Sequence, residues 1–444
     1  MNTFFIETWG CQMNIHDSER LEGQLRAHGM QAAKSAAGAD LVLLNTCSVR
    51  EKPVHKILSR IGELALLPNK PMVGICGCVA QQEGEALLKR SRTVRFVLGP
   101  GQIGRVREAV RAVEQGKRVQ ITGFDAEEDY NFKTIFRKSS TRGMITVIEG
   151  CNEYCTFCVV PYTRGRELSR PINDVLSEAR TLAGLGVREI ELLGQTINAY
   201  ICPESDASFA TLLGRVAEVP GIQRVRFVTS HPRHFGDDLV QAIANTPKIS
   251  RYLHLPFQSG SNEILKRMNR KYTREEYLAL IQRIRDAAPE IHLSTDVIVG
   301  FPGESENDFR QTLDIIESIR FGQVFAFAFS PRPNTPARMY AEQVSEDEKK
   351  SRLHRLFDIS NAISLELNRE LVGSTIPVLI DGESRRTSED WQGRGEDNRV
   401  VNFPKSSRER LGDIVDVLIT RAGHHSLYGE SVDSPSSPQH LPAL

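Results

Sequence analysis

The sequence predicts an α/β protein in three units: a doubly wound α/β domain, a central partial (βα)6 barrel, and a small antiparallel β-barrel at the end. Three observations carry that expectation. Short apolar runs alternate with helical stretches through residues 1–118. The alternation restarts after a polar connector and repeats six times between 142 and about 340. Beyond a long helix broken by Gly373, β-branched runs separated by Gly, Asp and Pro take over. A chain of 444 residues suits two or three domains. Lys and Arg total 56 against 56 Asp and Glu, so composition makes no case for a polyanionic partner beyond a local patch. Met1–Glu7 lacks the basic start and long apolar core of a signal peptide, and no apolar run reaches bilayer-spanning length. With no membrane segment, the eight cysteines are expected in a reducing, cytoplasmic compartment, where metal and redox roles outrank disulfides.

In the first unit, 1–118, strands are expected at Thr3–Glu7, Asp40–Asn45, Met72–Ile75 and Val94–Leu98. Helices are expected at Asp17–His28, Val54–Leu66, Glu83–Lys89 and Ile103–Gln115. Cys11, Cys47 and Cys78 each follow a strand. In an open parallel sheet the carboxyl ends of the strands share one edge, so these three thiols should converge there. They could hold a cluster with one unclaimed iron; small buried cysteines near strand ends also serve simply as packing residues. Residues 119–141 form an acidic and then basic, serine-rich connector, either a solvated linker or a contact for a polyanion.

The second unit, 142–372, opens with the apolar run Met144–Ile148 and then the loop Gly150-Cys151-Asn152-Glu153-Tyr154-Cys155-Thr156-Phe157-Cys158. Three thiolates leave a structural zinc site one ligand short. They can hold three corners of a cubane iron–sulfur cluster and leave its fourth iron open for chemistry. Further strands are expected at Glu189–Leu193, Val225–Thr229, Tyr252–Leu255, His292–Val299 and Gln323–Phe329. Six βα units fall short of a closed eightfold barrel, and active sites in such folds lie at the carboxyl ends of the strands. Gln195, Ser230-His231-Pro232, Gln258-Ser259-Gly260 and Ser330-Pro331-Arg332 occupy those ends. Gly300-Phe301-Pro302-Gly303 is either an ordinary turn or a ligand loop with free amides. Arg164, Arg166 and Arg170, with Lys266, Arg267, Arg270 and Lys271, form a basic group interspersed with Tyr162 and Tyr272. It reads as a solvated face or an RNA-backbone contact. Glu346–Leu371 is a helix expected to cover the barrel's side. The third unit, 373–430, carries strands at Ser374–Ile380, Arg399–Phe403 and Ile414–Arg421, and 431–444 is a low-complexity tail expected to be disordered.

The cysteine loop, with Phe157 as the aromatic residue before its third cysteine, resembles the signature of the radical S-adenosylmethionine (SAM) superfamily. TWGCQMNIHDSE, LNTCSVRE and GCVAQQEGE are similar to the N-terminal signatures of the methylthiotransferases, although members usually carry Met where this chain has Val79. IPVLIDG, GRGEDNRVVNFP and LGDIVDVLIT resemble a TRAM domain, a small RNA-binding barrel. The resemblance implies two 4Fe–4S clusters, one on Cys151, Cys155 and Cys158 and one on Cys11, Cys47 and Cys78. Cys76 is then a bystander and Cys202 a free thiol. It implies SAM as cofactor, cleaved to a 5′-deoxyadenosyl radical, with Phe157, Gln195, Gly300, Phe301, Pro302 and Gly303 around it. The implied partners are the anticodon stem-loop of a tRNA and an external flavodoxin- or ferredoxin-type electron donor, for a monomeric enzyme. RNA contacts are expected at Arg164, Arg166, Arg385, Arg386 and Arg399, with Arg394 and Asn398 alongside. CQMN, NTCSVRE and YCTFCVVPYTRGRE are most similar to the branch of the family that converts N(6)-dimethylallyladenosine to its 2-methylthio derivative with two SAM. Sister enzymes act on threonylcarbamoyladenosine or on an aspartate of a ribosomal protein, and an RNA-binding iron–sulfur redox sensor is the non-enzyme alternative.

Overall fold

Leu41–Thr46 is buried along its whole length, which only a strand covered on both faces achieves. In the computed structural model, which describes residues 1–48, 52–124, 135 and 141–432, this strand lies inside a six-stranded parallel sheet. Its strands are β1 (Thr3–Trp9), β2 (Gln31–Ala32), β3 (Leu41–Thr46), β4 (Met72–Gly77), β5 (Val94–Leu98) and β6 (Val119–Ile121), in the order β2-β1-β3-β4-β5-β6. Helices α1 (Gln12–Ala27) and α4 (Val106–Glu114) pack on one face through Leu21, Leu25 and Val110. Helices α2 (Lys52–Ala65) and α3 (Cys78–Arg90) pack on the other through Ile57, Ile61 and Leu87. The domain extends past residue 118, because Val119–Ile121 pairs with Phe96–Leu98 as an edge strand too short to carry a periodic signal. Helix α1 likewise begins at Gln12, five residues before the expected start. The rest of the connector, apart from 122–124, Ile135 and Thr141, lies outside the described residues.

The second unit is a succession of parallel strands and helices. Its first strand, β7, is Arg142–Thr146. The short strands β8 (Ile148–Glu149) and β9 (Leu168–Ser169) pair with each other and pinch the two ends of the cysteine loop together around α5 (Val160–Thr163). Then come α6 (Ile172–Gly184), β10 (Glu189–Leu193), α7 (Phe209–Ala217), β11 (Arg224–Phe227), α8 (Asp237–Asn245) and β12 (Tyr252–His254). After α9 (Asn262–Arg267) and α10 (Arg274–Ala287), the unit continues through β13 (His292–Val299), α11 (Glu306–Ile319) and β14 (Gln323–Ala328). The six long strands form two parallel triplets, β7-β10-β11 and β12-β13-β14, joined by a single bridge between Val225 and Ile249. Helix α12 (Glu346–Arg369) covers the side, burying Leu356 and Ile363 in the barrel core.

The last unit is a closed five-stranded barrel of β15 (Thr375–Glu383), β16 (Asp390–Arg394), β17 (Val400–Pro404), β18 (Ile414–Ala422) and β19 (Leu427–Ser431). It is not wholly antiparallel, since β17 and β19 run parallel. Ser431 belongs to it, paired with Val417, so the barrel ends later than expected; 433–444 lie outside the described residues.

The turn between β16 and β17 plugs the amino-terminal end of the partial barrel. Arg224 donates to the carbonyls of Arg394 at 3.0 Å and Gly395 at 3.1 Å, Arg226 bonds Asn398, and His292 Nδ1 meets the Asp397 carbonyl at 2.8 Å. Glu189 is the hub of this end. Fully buried, it takes Arg226 at 2.7 Å, Arg142 at 3.0 Å and Arg224 at 3.3 Å. Burial pushes its carboxyl up, but the three guanidinium groups outweigh that and hold it below the usual carboxylate range.

Two stability predictions follow from these contacts. Glu189→Gln takes from the buried Arg224 and Arg226 the carboxylate they pair with, while Arg142 keeps Glu191 and Asp381, and should cost about 3–5 kcal/mol, measured as a fall in Tm by calorimetry. The Glu189 contribution is complete above the unfolded carboxylate pKa and is lost as pH falls through its lower folded value, so the Tm gap should close only in strong acid. At Gly150 φ is +78°, and a Cβ there would fall on the Arg166 carbonyl. Gly150→Ala should therefore destabilise by about 1–3 kcal/mol from backbone strain alone, measured as a lower urea midpoint.

Candidate active site

The strand order of the first domain reverses between β1 and β3, which makes the carboxyl edge there a topological switch point, the usual place for a ligand in an open α/β sheet. Cys11 caps the amino terminus of α1 directly after β1, Cys47 follows β3, and Cys78 opens α3 after β4. Gly77, at φ +90°, makes the last turn possible, because a side chain would strike Asn45 and the Thr46 carbonyl. A buried amide network locks the loops: Asn45 Nδ2 donates to the Asn14 carbonyl at 2.8 Å and to Ser18 Oγ at 2.8 Å, and Cys11 Sγ donates to Asn14 Oδ1 at 3.4 Å.

Cys47 lies within hydrogen-bond reach of both Cys11 and Cys78 and so is central to the three thiols. The Cys47 S–H stabilises its neighbours as thiolates. It brings Cys11 down to about 6 and Cys78 down to about 7 against the opposing effect of burial, with help from the Arg164 guanidinium. Cys47 itself is pushed up by the same bonds. Helix amino termini at Cys11 and Cys78 favour the same ionisation. Two thiolates and a shared proton form a set ready for metal. Cys76 points elsewhere, into the apolar core with Leu21 and Phe96, and its thiol is pushed up chiefly by burial. Cys202 is buried among the barrel's core residues.

The second triplet sits on the loop after β8. The loop is strapped by Thr156, whose N–H donates to the Met268 carbonyl at 3.0 Å and whose hydroxyl donates to the Arg267 carbonyl at 2.9 Å. Asn269 Nδ2 adds a bond to the Tyr154 carbonyl at 3.0 Å. The Cys158 amide donates to the Cys155 carbonyl at 3.0 Å, which folds the two cysteines into one turn. Cys151 Sγ lies 3.1 Å from Thr196 Oγ1 at the end of β10. Burial raises Cys151 and pushes Cys158 up to about 12, so this triplet gives up protons only when a metal claims its sulfurs. Arg270, expected on an RNA-facing patch, instead donates to Cys155 Sγ at 3.4 Å and to the Pro256 carbonyl at 3.2 Å, which turns its charge inward.

Beside the loop, Glu153 is gripped by His234 at 2.6 Å and approached by Arg233 at 3.7 Å and His231 at 3.8 Å. The bond from His234, reinforced by the neighbouring positive groups, brings its carboxyl down to about 2. Carboxylate and imidazoles in this arrangement could attract a cation. His231 Nδ1, however, accepts the Arg233 amide at 3.2 Å, so its proton sits on Nε2 facing Glu153. The trio therefore acts as a brace that ties the cysteine loop to the end of β11. Nothing in the local sequence marks Glu153 for this role.

Gln195 Oε1, Ser230 Oγ, Glu153 Oε2 and His231 Nε2 are buried without a hydrogen-bond partner among the described residues. They cluster at the carboxyl ends of β10 and β11 and on the cysteine loop, a set suited to a polar ligand such as SAM. Phe157 packs against the small cluster around Phe301 and Phe329. The expectation of free amides at Gly300-Phe301-Pro302-Gly303 fails. The Gly300 N–H donates to Glu304 Oε1 at 2.8 Å and the Gly303 N–H to the Glu342 carbonyl at 2.9 Å, while the Phe301 side chain is wholly buried. Pro302 has no N–H to offer. Glycine at 300 is required because Lys349 of α12 lies against it.

The two triplets face one interface. Helix α1 of the first domain lies on the mouth of the barrel, with His16 Nδ1 and Thr146 Oγ1 bonded at 2.9 Å and Arg20 3.6 Å from Glu149. Arg164, six residues after Cys158, meets Asp17 at 2.6 Å. Arg164 is thus not an RNA contact: it is buried in this junction. Arg399 is likewise internal, paired with Asp397 and donating to Asn368 Oδ1 of α12 at 2.8 Å. Arg394 ion-pairs with Asp381 at 3.3 Å. Arg166, Arg385 and Arg386 are exposed. Beside them a sequence reading misses an aromatic face. Arg421 lies 4.2 Å and Arg386 5.3 Å from the Tyr428 ring centroid, and Lys405 lies 4.7 Å from that of Trp391.

Three family models match in series: Uncharacterized protein family UPF0004 over residues 3–99, the Radical SAM superfamily over 145–316, and the TRAM domain over 369–432. Among solved structures, the radical S-adenosylmethionine methyltransferase TsrM from Kitasatospora setae, with cobalamin and a 4Fe–4S cluster bound, matches with a TM-score of 0.55 at 15% identity. That match covers 85% of this chain and 77% of TsrM, a likeness of fold. The tRNA-2-methylthio-N(6)-dimethylallyladenosine synthase of Geotalea uraniireducens (strain Rf4) is 45% identical over 96% of this chain and 98% of its own length. The enzyme of the same name from Koribacter versatilis (strain Ellin345) is 43% identical over 97% of this chain and 98% of its own. With all three domains aligned end to end at that identity, the chain belongs to the tRNA-2-methylthio-N(6)-dimethylallyladenosine synthase family of radical-SAM proteins.

Proposed function

We propose that this chain is a radical-SAM tRNA methylthiotransferase that replaces the C2 hydrogen of N(6)-dimethylallyladenosine, next to the anticodon, with a methylthio group. The observation that carries the reading is the presence of two cysteine triplets, each one ligand short of a closed four-cysteine site, on loops bordering the junction that Asp17 of α1 and Arg164 make. SAM and an iron–sulfur cluster belong to the family. In this reading Cys151, Cys155 and Cys158 hold one 4Fe–4S cluster and Cys11, Cys47 and Cys78 a second. When bound, the two groups supply a radical for hydrogen removal and a methylated sulfur for insertion.

The chain's own residues do the positioning. An aromatic C–H offers no acidic proton, so no carboxylate or imidazole here could open it as a general base. Arg270 keeps a positive charge against Cys155, and the Glu153 brace fixes the loop's orientation. Gln195, Ser230 and His231 offer polar atoms to SAM at the strand ends. The tight α1–barrel junction keeps water from the reacting groups. The exposed Arg385, Arg386 and Arg421 of the last barrel, with the half-buried Tyr428, Trp391 and Lys405 beside them, form the surface for the anticodon stem-loop, with Arg166 near the mouth. The reducing electron comes from an external flavodoxin- or ferredoxin-type protein, and the enzyme works as a cytoplasmic monomer. Among the described residues no helix is long and apolar enough to cross a membrane.

After anaerobic reconstitution the wild type should bind about eight irons and convert dimethylallylated tRNA, as measured by nucleoside mass spectrometry. Cys155→Ala should retain about half the iron and produce no 5′-deoxyadenosine; continued production would refute the assignment of the barrel triplet. Arg386→Ala should weaken tRNA binding, reducing the slope of log K against log salt by about one, and leave SAM cleavage without tRNA intact.

A further inference from the structure

Arg164, an expected RNA contact, is instead a buried cation beside Cys11 and Cys78, on the segment that follows the second cysteine triplet. Its side chain is 3% exposed, and one arm of the guanidinium, Nη2, donates to Asp17 Oδ2 at 2.6 Å. The other arm, Nη1, is buried without a partner among the described residues. The backbone leaves it little freedom. The Arg164 N–H donates to the Val160 carbonyl at 2.8 Å, and the next residue, Gly165, at φ +79°, accepts the Cys151 N–H at 3.1 Å. A charged donor left unpaired in the interior is expensive, so this arm requires an acceptor that the protein atoms do not provide. The groups its charge acts upon are Asp17, Glu149, Cys78 and Cys11, and Glu149 already has Arg20. The unclaimed direction is therefore toward the thiolates of the first domain. A lysine could not serve two acceptors on two sides in this way; a planar fork can.

We propose that Arg164 is a positioning residue for the iron–sulfur group on Cys11, Cys47 and Cys78, with Nη1 donating to one of that group's sulfurs while Nη2 stays on Asp17. This rests on the two-cluster reading above. Hydrogen bonds to cluster sulfurs and nearby charge set reduction potential, so Arg164 raises the potential of the first-domain cluster and Asp17 lowers it. The residue belongs to the barrel by sequence, so the cluster of one domain would be tuned by the loop that binds the cluster of the other.

The test uses the full chain with Cys151, Cys155 and Cys158 replaced by Ala, so that only the first-domain site can load. It is reconstituted anaerobically and titrated electrochemically with EPR detection. The expected result is about four irons, a potential made more negative by Arg164→Gln, and one made less negative by Asp17→Asn. Each shift should be about tenfold in the reduction equilibrium, ~59 mV for one electron. Arg164→Lys, which keeps the charge but not the fork, should fall between wild type and Arg164→Gln. A plain interdomain strap would instead lower the Tm of both variants and leave both potentials unchanged, which would overturn the proposal. If Arg164→Gln fails to fold, the sign of the Asp17→Asn shift decides. Absence of iron in the triple-alanine chain would overturn the two-cluster reading and this inference with it, whereas four irons with unmoved potentials would overturn this inference alone.

Discussion

The buried contact between Asp17 of α1 and Arg164 of the cysteine loop is the constraint on which the arrangement of the site depends. Helix α1 carries charged or polar residues nearly throughout, and most of Asn14–Leu25 is nevertheless buried. A surface helix of this composition would show one wet face. Here one side rests on its own sheet and the other on the barrel mouth, so its ion pairs and hydrogen bonds serve as interdomain contacts. Buried ion pairs contribute little net stability against an apolar isostere, but a misaligned one is heavily penalised. Such a junction therefore enforces register, and register is what brings the carboxyl edge of one sheet against the mouth of the other.

The two ends of the partial barrel are built for different purposes. At the carboxyl end stand the cysteine loop, with Cys151 beside Thr196, and the polar side chains of Gln195, Ser230 and His231. At the amino end Glu189, Arg142, Arg224 and Arg226 are tied to the turn of the last barrel, and little is left to do chemistry. The division follows the usual separation of catalytic and stabilising ends in βα folds. It also fixes the attitude of the small barrel: Arg394, Asn398 and Arg399 are consumed at the contact, while Arg386 and Arg421 stay exposed beside Tyr428.

The two triplets differ in protonation for physical reasons. In the first domain a central S–H, two helix amino termini and Arg164 share the stabilisation of thiolates at Cys11 and Cys78. In the barrel, burial dominates at Cys151 and Cys158. Metal binding there has to displace protons held more firmly than those of Cys11 and Cys78.

Strand and helix alternation, the cysteine spacings and the order of the domains were legible in the sequence, because periodicity and spacing are local properties. Short elements were not: Val119–Ile121 and Leu427–Ser431 owe their existence to the strands they join. Nor could the sequence say which arginines reach solvent. It displays the charge of Arg164, Arg270 and Arg399, but their exposure is set by Asp17, 147 positions away from Arg164, by Cys155, 115 positions from Arg270, and by Asn368, 31 from Arg399. The local sequence cannot separate an ordinary turn from free amides at Gly300 and Gly303 for the same reason, since Glu304 and Glu342 fold back on them only in three dimensions. The chain by itself determined which ligands exist and on which loops. Only the tertiary structure, by packing α1 against the barrel mouth, decided that Asp17 meets Arg164 and that this buried cation stands beside Cys11 and Cys78.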